Sequence, residues 1–276
     1  MRIKYIEDIV AWISLFLLVL WSMIPILFVI ISSFKHPKEI FGWPPNLLFT
    51  PTLINYEDLI NTWPKFFYAL QNSATITIAS TIIILTISTL AAYAFSRFQF
   101  KVMNFTAFSL IATRMFPPIV ITVPLFPLFS ELHLLDTPFI IILLYVTFYV
   151  SLSTWVMMAF IDEIPVNLEE AAMIDGASRL QAFYKITLPL IAPGMVSVSV
   201  LAAVFCWNEF QFAYIFTATR AVTAPIVISE MLGGLYGAEW GPLFASSTIQ
   251  LVPMLVFVWA VQKYLIKGLT MGAVKG

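Results

Sequence analysis

From Val10 to Ser32 the chain reads VAWISLFLLVLWSMIPILFVIIS, without a single charged side chain. A helix of about 20 mostly apolar residues crosses the roughly 30 Å hydrocarbon core of a bilayer. Lipid offers the backbone no hydrogen-bond partner, so such a stretch crosses as a helix. The run is too long for a cleavable signal, and no small-residue cleavage site follows before Phe34-Lys35. Five more stretches of this kind lie near residues 72–95, 104–129, 138–160, 193–216 and 243–266. Composition agrees, with 61% hydrophobic and 11% charged residues, against about 45–50% and about 25% in soluble domains. Mean hydropathy is +0.94. The expected fold is an all-α membrane protein of six transmembrane helices, forming one domain over residues 1–276.

Lysine and arginine set the orientation. With the N-terminus inside, the inner segments hold nine: Arg2, Lys4, Arg97, Lys101, Arg179, Lys185, Lys263, Lys267 and Lys275. The outer segments hold four, Lys35, Lys38, Lys65 and Arg220, and Arg114 falls within the third span. Both termini are therefore expected on the cytoplasmic side of a multi-pass protein. The net charge of −1 excludes a general nucleic-acid role, and the lone Cys206 excludes a disulfide framework. His36 and His133 lie in outer loops and belong to no H-E-x-x-H pair. With no G-x-S-x-G elbow and no G-x-x-x-x-G-K-[ST] loop, neither hydrolase chemistry nor ATP binding by that route has support. No catalytic residue, no metal site and no cofactor are expected in this chain.

Between the fourth and fifth spans, residues 161–193 read IDEIPVNLEEAAMIDGASRLQAFYKITLPLIAP. Asn167 and Glu170, with Pro165 upstream, form a helix start of the capping-box kind. Leu168, Ala171, Ala172 and Asp175 recur at helical spacing, and Gly176 suits the left-handed residue that ends a helix. A second short helix is expected from Ser178 to Tyr184, stopping before Leu188-Pro189. Connections usually run about 4–6 residues, so a helical pair with a small-residue face is more than a connector requires. It reads as a docking surface on the cytoplasmic face.

Glu170-Ala171-Ala172, Asp175-Gly176-Ala177, Phe183, Ile186, Leu188-Pro189 and Pro193 resemble the EAA loop of ATP-binding-cassette importer permeases. Asn72-Ser73, Ala91-Ala92-Tyr93-Ala94, Arg97-Phe98, Pro117-Pro118, Leu134-Leu135-Asp136-Thr137 and Trp207-Asn208-Glu209-Phe210 resemble the maltose-type carbohydrate permeases, as does the tail from Gly268 to Gly276. The resemblance implies an inner-membrane sugar permease with the importer permease fold. Its partners would be a second permease subunit, two ATP-binding cassette subunits that bind ATP and magnesium, and an extracytoplasmic solute-binding protein. Glu169, Glu170, Ala171, Ala172, Asp175, Gly176 and Ala177 would form the coupling segment that docks on the ATPase. Gly272, Lys275 and Gly276 would make a second ATPase contact, unless the tail merely frays. Gly234, Leu235, Tyr236 and Gly237 would form a loop reaching into the binding protein, a flexible connector being the plain alternative.

Charges inside a span are costly and usually face a cavity. Arg114, Asn208, Glu209 and Phe212 are candidates for a sugar path, because amide and carboxylate groups bond hydroxyls while aromatic faces pack on sugar rings. The same residues could instead pair with each other or with the second permease. A transporter working alone is the competing class, but such proteins often show repeated halves, which this sequence lacks.

Overall fold

In the computed structural model, residues 2–44, 46, 48–98, 101–233 and 237–273 are described, and those residues form helices and connecting turns. In chain order the α-helices are α1 (Arg2–Ser33), α2 (Ile54–Thr62), α3 (Lys65–Arg97), α4 (Lys101–Ala112), α5 (Pro118–Glu131), α6 (Pro138–Asp162) and α7 (Val166–Ile174). They continue as α8 (Arg179–Ala182), α9 (Leu188–Leu190), α10 (Ala192–Trp207), α11 (Gln211–Phe216), α12 (Ala224–Glu230) and α13 (Trp240–Ala273). Four stretches are long and apolar enough to cross a membrane: Asp8–Ser33, Lys65–Arg97, Pro138–Asp162 and Trp240–Gln262. Two bent pairs bring the number to six if each is one span, Phe105–Met115 with Pro118–Glu131 at 90° and Arg179–Leu190 with Ala192–Trp207 at 72°.

The 90° bend has a local cause. Pro117 and Pro118 supply no N–H, so the helix stops at the short 3₁₀ turn Thr113–Met115 and restarts with Pro118 in its first turn. The fifth stretch, expected to run unbroken over 193–216, ends at Trp207 and resumes at Gln211. The capping box expected at Asn167 and Glu170 is not where the helix starts. Pro165 is the N-cap, without a side-chain cap bond, and helical geometry begins at Val166. Proline's fixed φ, here −59°, already suits that entry. The capping box forms instead at α8, where the Ser178 hydroxyl accepts from the Gln181 N–H and the Gln181 side chain accepts from the Ser178 N–H. Nor does this second helical stretch stop before Leu188-Pro189. A π-helical turn over Phe183–Thr187 carries it into α9, where Pro189 sits in the first turn and no helical N–H is needed.

The contacts divide the chain into two compact units, Met1–Tyr68 with Val227–Val252 and Ala69–Ile226 with Pro253–Gly276. In the first, the apolar window of α1 has none of its residues buried, as suits a helix solvated by lipid. Its C-terminal carbonyls are held by α2. The Asn55 amide, fully buried, donates to the Ser33 and Lys35 carbonyls at 2.9 and 2.7 Å. In the second unit the core lies among α3, α6, α10 and α11, with Ile84, Ile140, Tyr145, Cys206 and Phe216 at one end. Ala92, Met157, Ile161, Phe183 and Val198 fill the other. Gly194 lets α10 approach α6 closely, since a Cβ there would collide with the Phe160 ring. Gly194→Leu is expected to cost about 1–3 kcal/mol by overpacking and to lower the thermal midpoint in detergent. Gly233→Ala, whose Cβ would meet only the Glu230 carbonyl oxygen at 4.0 Å, should leave it unchanged.

Candidate functional site

The segment between α6 and α10 is built around one turn. At the end of α7 the Ala177 N–H reaches the Ala172 carbonyl at 2.9 Å, and the Gly176 N–H reaches the Met173 carbonyl at 3.1 Å. Gly176 takes φ +90°, a conformation that costs other residues a Cβ clash. This is a Schellman ending, and it fixes the angle between α7 and α8. Glu170, Ala171, Asp175 and Gly176 are exposed, while Ala172 and Ala177 are half-buried. Ile174, which composition and spacing did not single out, stands 85% exposed beside the turn.

Glu169 does not belong to that exposed set. It is 4% exposed and points into the protein, which removes it from any docking surface. Its Oε1 accepts from Arg97 Nε and from the Thr187 hydroxyl, each at 2.8 Å, and its Oε2 accepts from the Tyr93 hydroxyl at 2.8 Å. Arg97 Nη2 donates further to the Ile161 and Ile164 carbonyls at 3.2 and 3.0 Å. Burial alone would raise the Glu169 pKa, but the Arg97 guanidinium and the two hydroxyls outweigh it and hold it below its ordinary value. Both members of the pair are visible in the sequence, one closing the second span and one in the loop. Their separation of 72 positions hides the pairing.

A second feature lies at the membrane level. A cavity of about 500 Å³ is lined by Pro118, Phe148, Tyr149, Phe205, Asn208, Glu209 and neighbours including Phe212. Tyr149 and Phe205 stack at 5.4 Å with 2° between their planes. Arg114 lays its guanidinium over the Phe148 ring at 4.5 Å and donates to the Phe148 carbonyl at 3.3 Å. The polar residues do not pair with one another among the described residues. Asn208 bonds the Val204 carbonyl of its own helix at 2.9 Å, and Glu209 caps α11 by accepting from the Phe212 and Ala213 N–H groups at 2.7 and 3.2 Å.

On the opposite side of the second unit, the Asp136 carboxylate sits at φ +57° and gathers the backbone N–H groups of Ala218, Thr219, Arg220 and Ala221 together with the Thr219 hydroxyl. Asn72 reaches the Arg220 and Val222 carbonyls at 2.8 and 3.0 Å, and the Ser73 hydroxyl accepts from the Ala224 N–H at 2.9 Å. Asp136, Asn72 and Ser73 thus hold the loop after α11 in shape. Of the loop expected to reach outward, Gly234, Leu235 and Tyr236 lie outside the described residues, and Gly237 has φ +98°. Lys275 and Gly276 also lie outside them, and Gly272 falls in the last turn of α13.

Residues 84–270 match the family model described as binding-protein-dependent transport system inner membrane component. The chain is 34% identical to the trehalose/maltose transport system permease of Thermococcus litoralis over the full length of both chains. It is 36% identical to the trehalose transport system permease of Mycobacterium tuberculosis over 94% of this chain and 95% of that one. In structure it is similar to a chain of a bacterial transporter importing the acidic polysaccharide alginate, with a TM-score of 0.74 and 20% identity over 96% of this chain and 98% of that one.

Burial would raise the Asp136 pKa, but the four amides and the hydroxyl hold it well below the carboxylate range. A depressed folded value means the contribution is complete above the unfolded pKa of about 3.9 and is lost as the pH falls below that value toward the folded one. At pH 7, Asp136→Ala should cost about 1–3 kcal/mol by leaving the amides unpaired. Hydrogen exchange at residues 218–221 should quicken accordingly.

Proposed function

We propose that this chain, which belongs to the family of inner-membrane components of binding-protein-dependent transport systems, forms half of the translocation pathway for a sugar and is coupled to ATP hydrolysis through α7. As a permease of an ATP-binding-cassette importer it is the non-catalytic membrane subunit, and the ATPase is a separate partner. The rest of the assembly consists of a second permease subunit, two ATP-binding cassette subunits holding ATP and magnesium, and a solute-binding protein on the outer face. Both termini then lie in the cytoplasm, as the lysine and arginine distribution requires. The similar permeases of T. litoralis and M. tuberculosis are named for trehalose and maltose or trehalose, which favours a disaccharide of that class.

One observation carries the reading. Glu170, Ala171, Ile174 and Asp175 are exposed on a short helix that ends in a rigid Schellman turn. The small side chains let a partner's surface come close, Ile174 offers an apolar anchor, and the two carboxylates offer charge. The aromatic cavity beside Asn208 supplies the sugar path, because ring faces pack on sugar C–H groups and the amide bonds hydroxyls. Its Arg114 and Glu209 are held by rings and by backbone amides, which leaves the sugar to meet mostly aromatic faces.

The test begins with gentle purification of the tagged chain from its native membrane. An ATPase and a second permease should co-elute at a ratio of about 2:1:1, the stoichiometry expected of an importer with one chain of each permease. Glu170→Lys and Ile174→Asp should reduce the recovered ATPase at least several-fold while the chain still inserts. Recovery of the chain alone, active alone in liposomes, would overturn the reading. Phe205→Ala should lower trehalose or maltose uptake about tenfold without affecting ATPase recovery, the scale expected for loss of a stacking face worth about 1–1.5 kcal/mol.

A further inference from the structure

Glu169 and Glu170 are neighbours in sequence, yet one is exposed on the coupling surface and the other is buried behind it. The Glu169 and Arg97 side chains are each only 5% exposed. Their bonds radiate to four parts of the second unit. Arg97 and Tyr93 belong to the cytoplasmic end of α3, Ile161 and Ile164 to the end of α6, Glu169 to α7, and Thr187 to the π turn leading into α9 and α10. Tyr93 and Phe183 add a ring contact at 4.6 Å. Helices packed through apolar side chains can shear past one another by small steps. Short charge-assisted hydrogen bonds are directional and fix register.

We propose that Glu169 and Arg97 form a mechanical latch, so that a displacement of α7 is delivered to α3 as well as to α6 and α10, with Glu169 acting as a positioning residue and not as an ATPase contact. The inference rests on the reading of α7 as the coupling helix. Chain connectivity alone links α7 directly to α6 and, through α8, to α10. It provides no link to α3, whose cytoplasmic end is 72 positions away in sequence. The carboxylate supplies that link, with its two oxygens holding one donor from the π turn and two from α3. The π turn brings the Thr187 hydroxyl to the same oxygen that accepts from Arg97, so the start of the fifth span shares the node.

The test uses the full assembly of both permeases, the ATPase and the binding protein in proteoliposomes. Spin labels at Leu90 on α3 and Asn167 on α7, both exposed, report the separation of the two helices. In the otherwise unaltered assembly that separation should stay constant when ATP closes the ATPase pair. In Glu169→Gln, which keeps shape but removes charge, it should change on ATP addition, and sugar moved per ATP hydrolysed should fall at least tenfold. Arg97→Lys, which keeps the charge but loses the fork, should fall in between. A separation that already shifts with ATP in the unaltered assembly would overturn the latch, whatever the variants do. So would a Glu169→Gln complex with normal uptake per ATP. Loss of ATPase recovery in Glu169→Gln would make Glu169 a docking determinant and would equally overturn it. Failure of the ATPase to accompany the unaltered chain strikes instead at the coupling reading itself.

Discussion

A carboxylate and a guanidinium buried together where α3, α6 and α7 meet constrain the whole segment from α7 to α9. Removing both charges from water is expensive, and their attraction offsets that cost only when the remaining polar atoms are satisfied. Here they are, by two hydroxyls and two backbone carbonyls. Breaking such a pair from one side typically costs about 3–5 kcal/mol, so α7 has no nearby alternative seat. An apolar pair of similar volume would often be as stable. What it would lack is a fixed register, and register is what a helix needs if it is to hand on a displacement without slack.

The loop after α11 solves a comparable problem with a different chemistry. A loop carrying several unpaired N–H groups in succession is an anion site in waiting, and Asp136 fills it from within the chain. Asn72 and Ser73, in the N-terminal part of α3, pin the same loop from another side. In a chain with only 11% charged residues, these polar groups are concentrated at the ends of the spans.

Much of this is legible in the sequence, for identifiable reasons. The spans can be read because lipid imposes length and hydropathy on any crossing helix. The Gly176 turn can be read because left-handed geometry after a helix favours glycine. The helix begins at Val166, ahead of the cap that Asn167 suggests, because Pro165 enters a helix without needing a capping side chain. Glu169 reads with its exposed neighbours because periodicity within a nine-residue helix does not say which carboxylate faces inward. Its partners come from elements distant in the chain. Asp136, Asn72 and Arg97 stand out only as part of a resemblance, and their work, tying loops across 83, 148 and 72 positions, is a property of the assembled fold.

The breaks in the helices complete the mechanical picture. A rigid latch at the α7 end transmits displacement, but a close-packed interior does not deform continuously. The displacement has to be taken up where helical hydrogen bonding is already interrupted. Such places in the second unit include Met115–Pro118, where the third span turns through 90°, Leu190–Ala192, where the helix axis turns through 72°, and Asn208–Phe210, where α10 ends. Pro118, Asn208, Glu209 and Phe210 all line the aromatic cavity. Arg114 stands just before the first break with its charge resting on aromatic faces and not locked to a carboxylate. A cation–π contact of that kind has a broad geometry compared with a hydrogen-bonded ion pair, so it tolerates a change in helix angle that the Arg97–Glu169 pair would resist. Strong directional bonds at the driven end and soft aromatic contacts around the cavity are what a lever with a movable jaw requires.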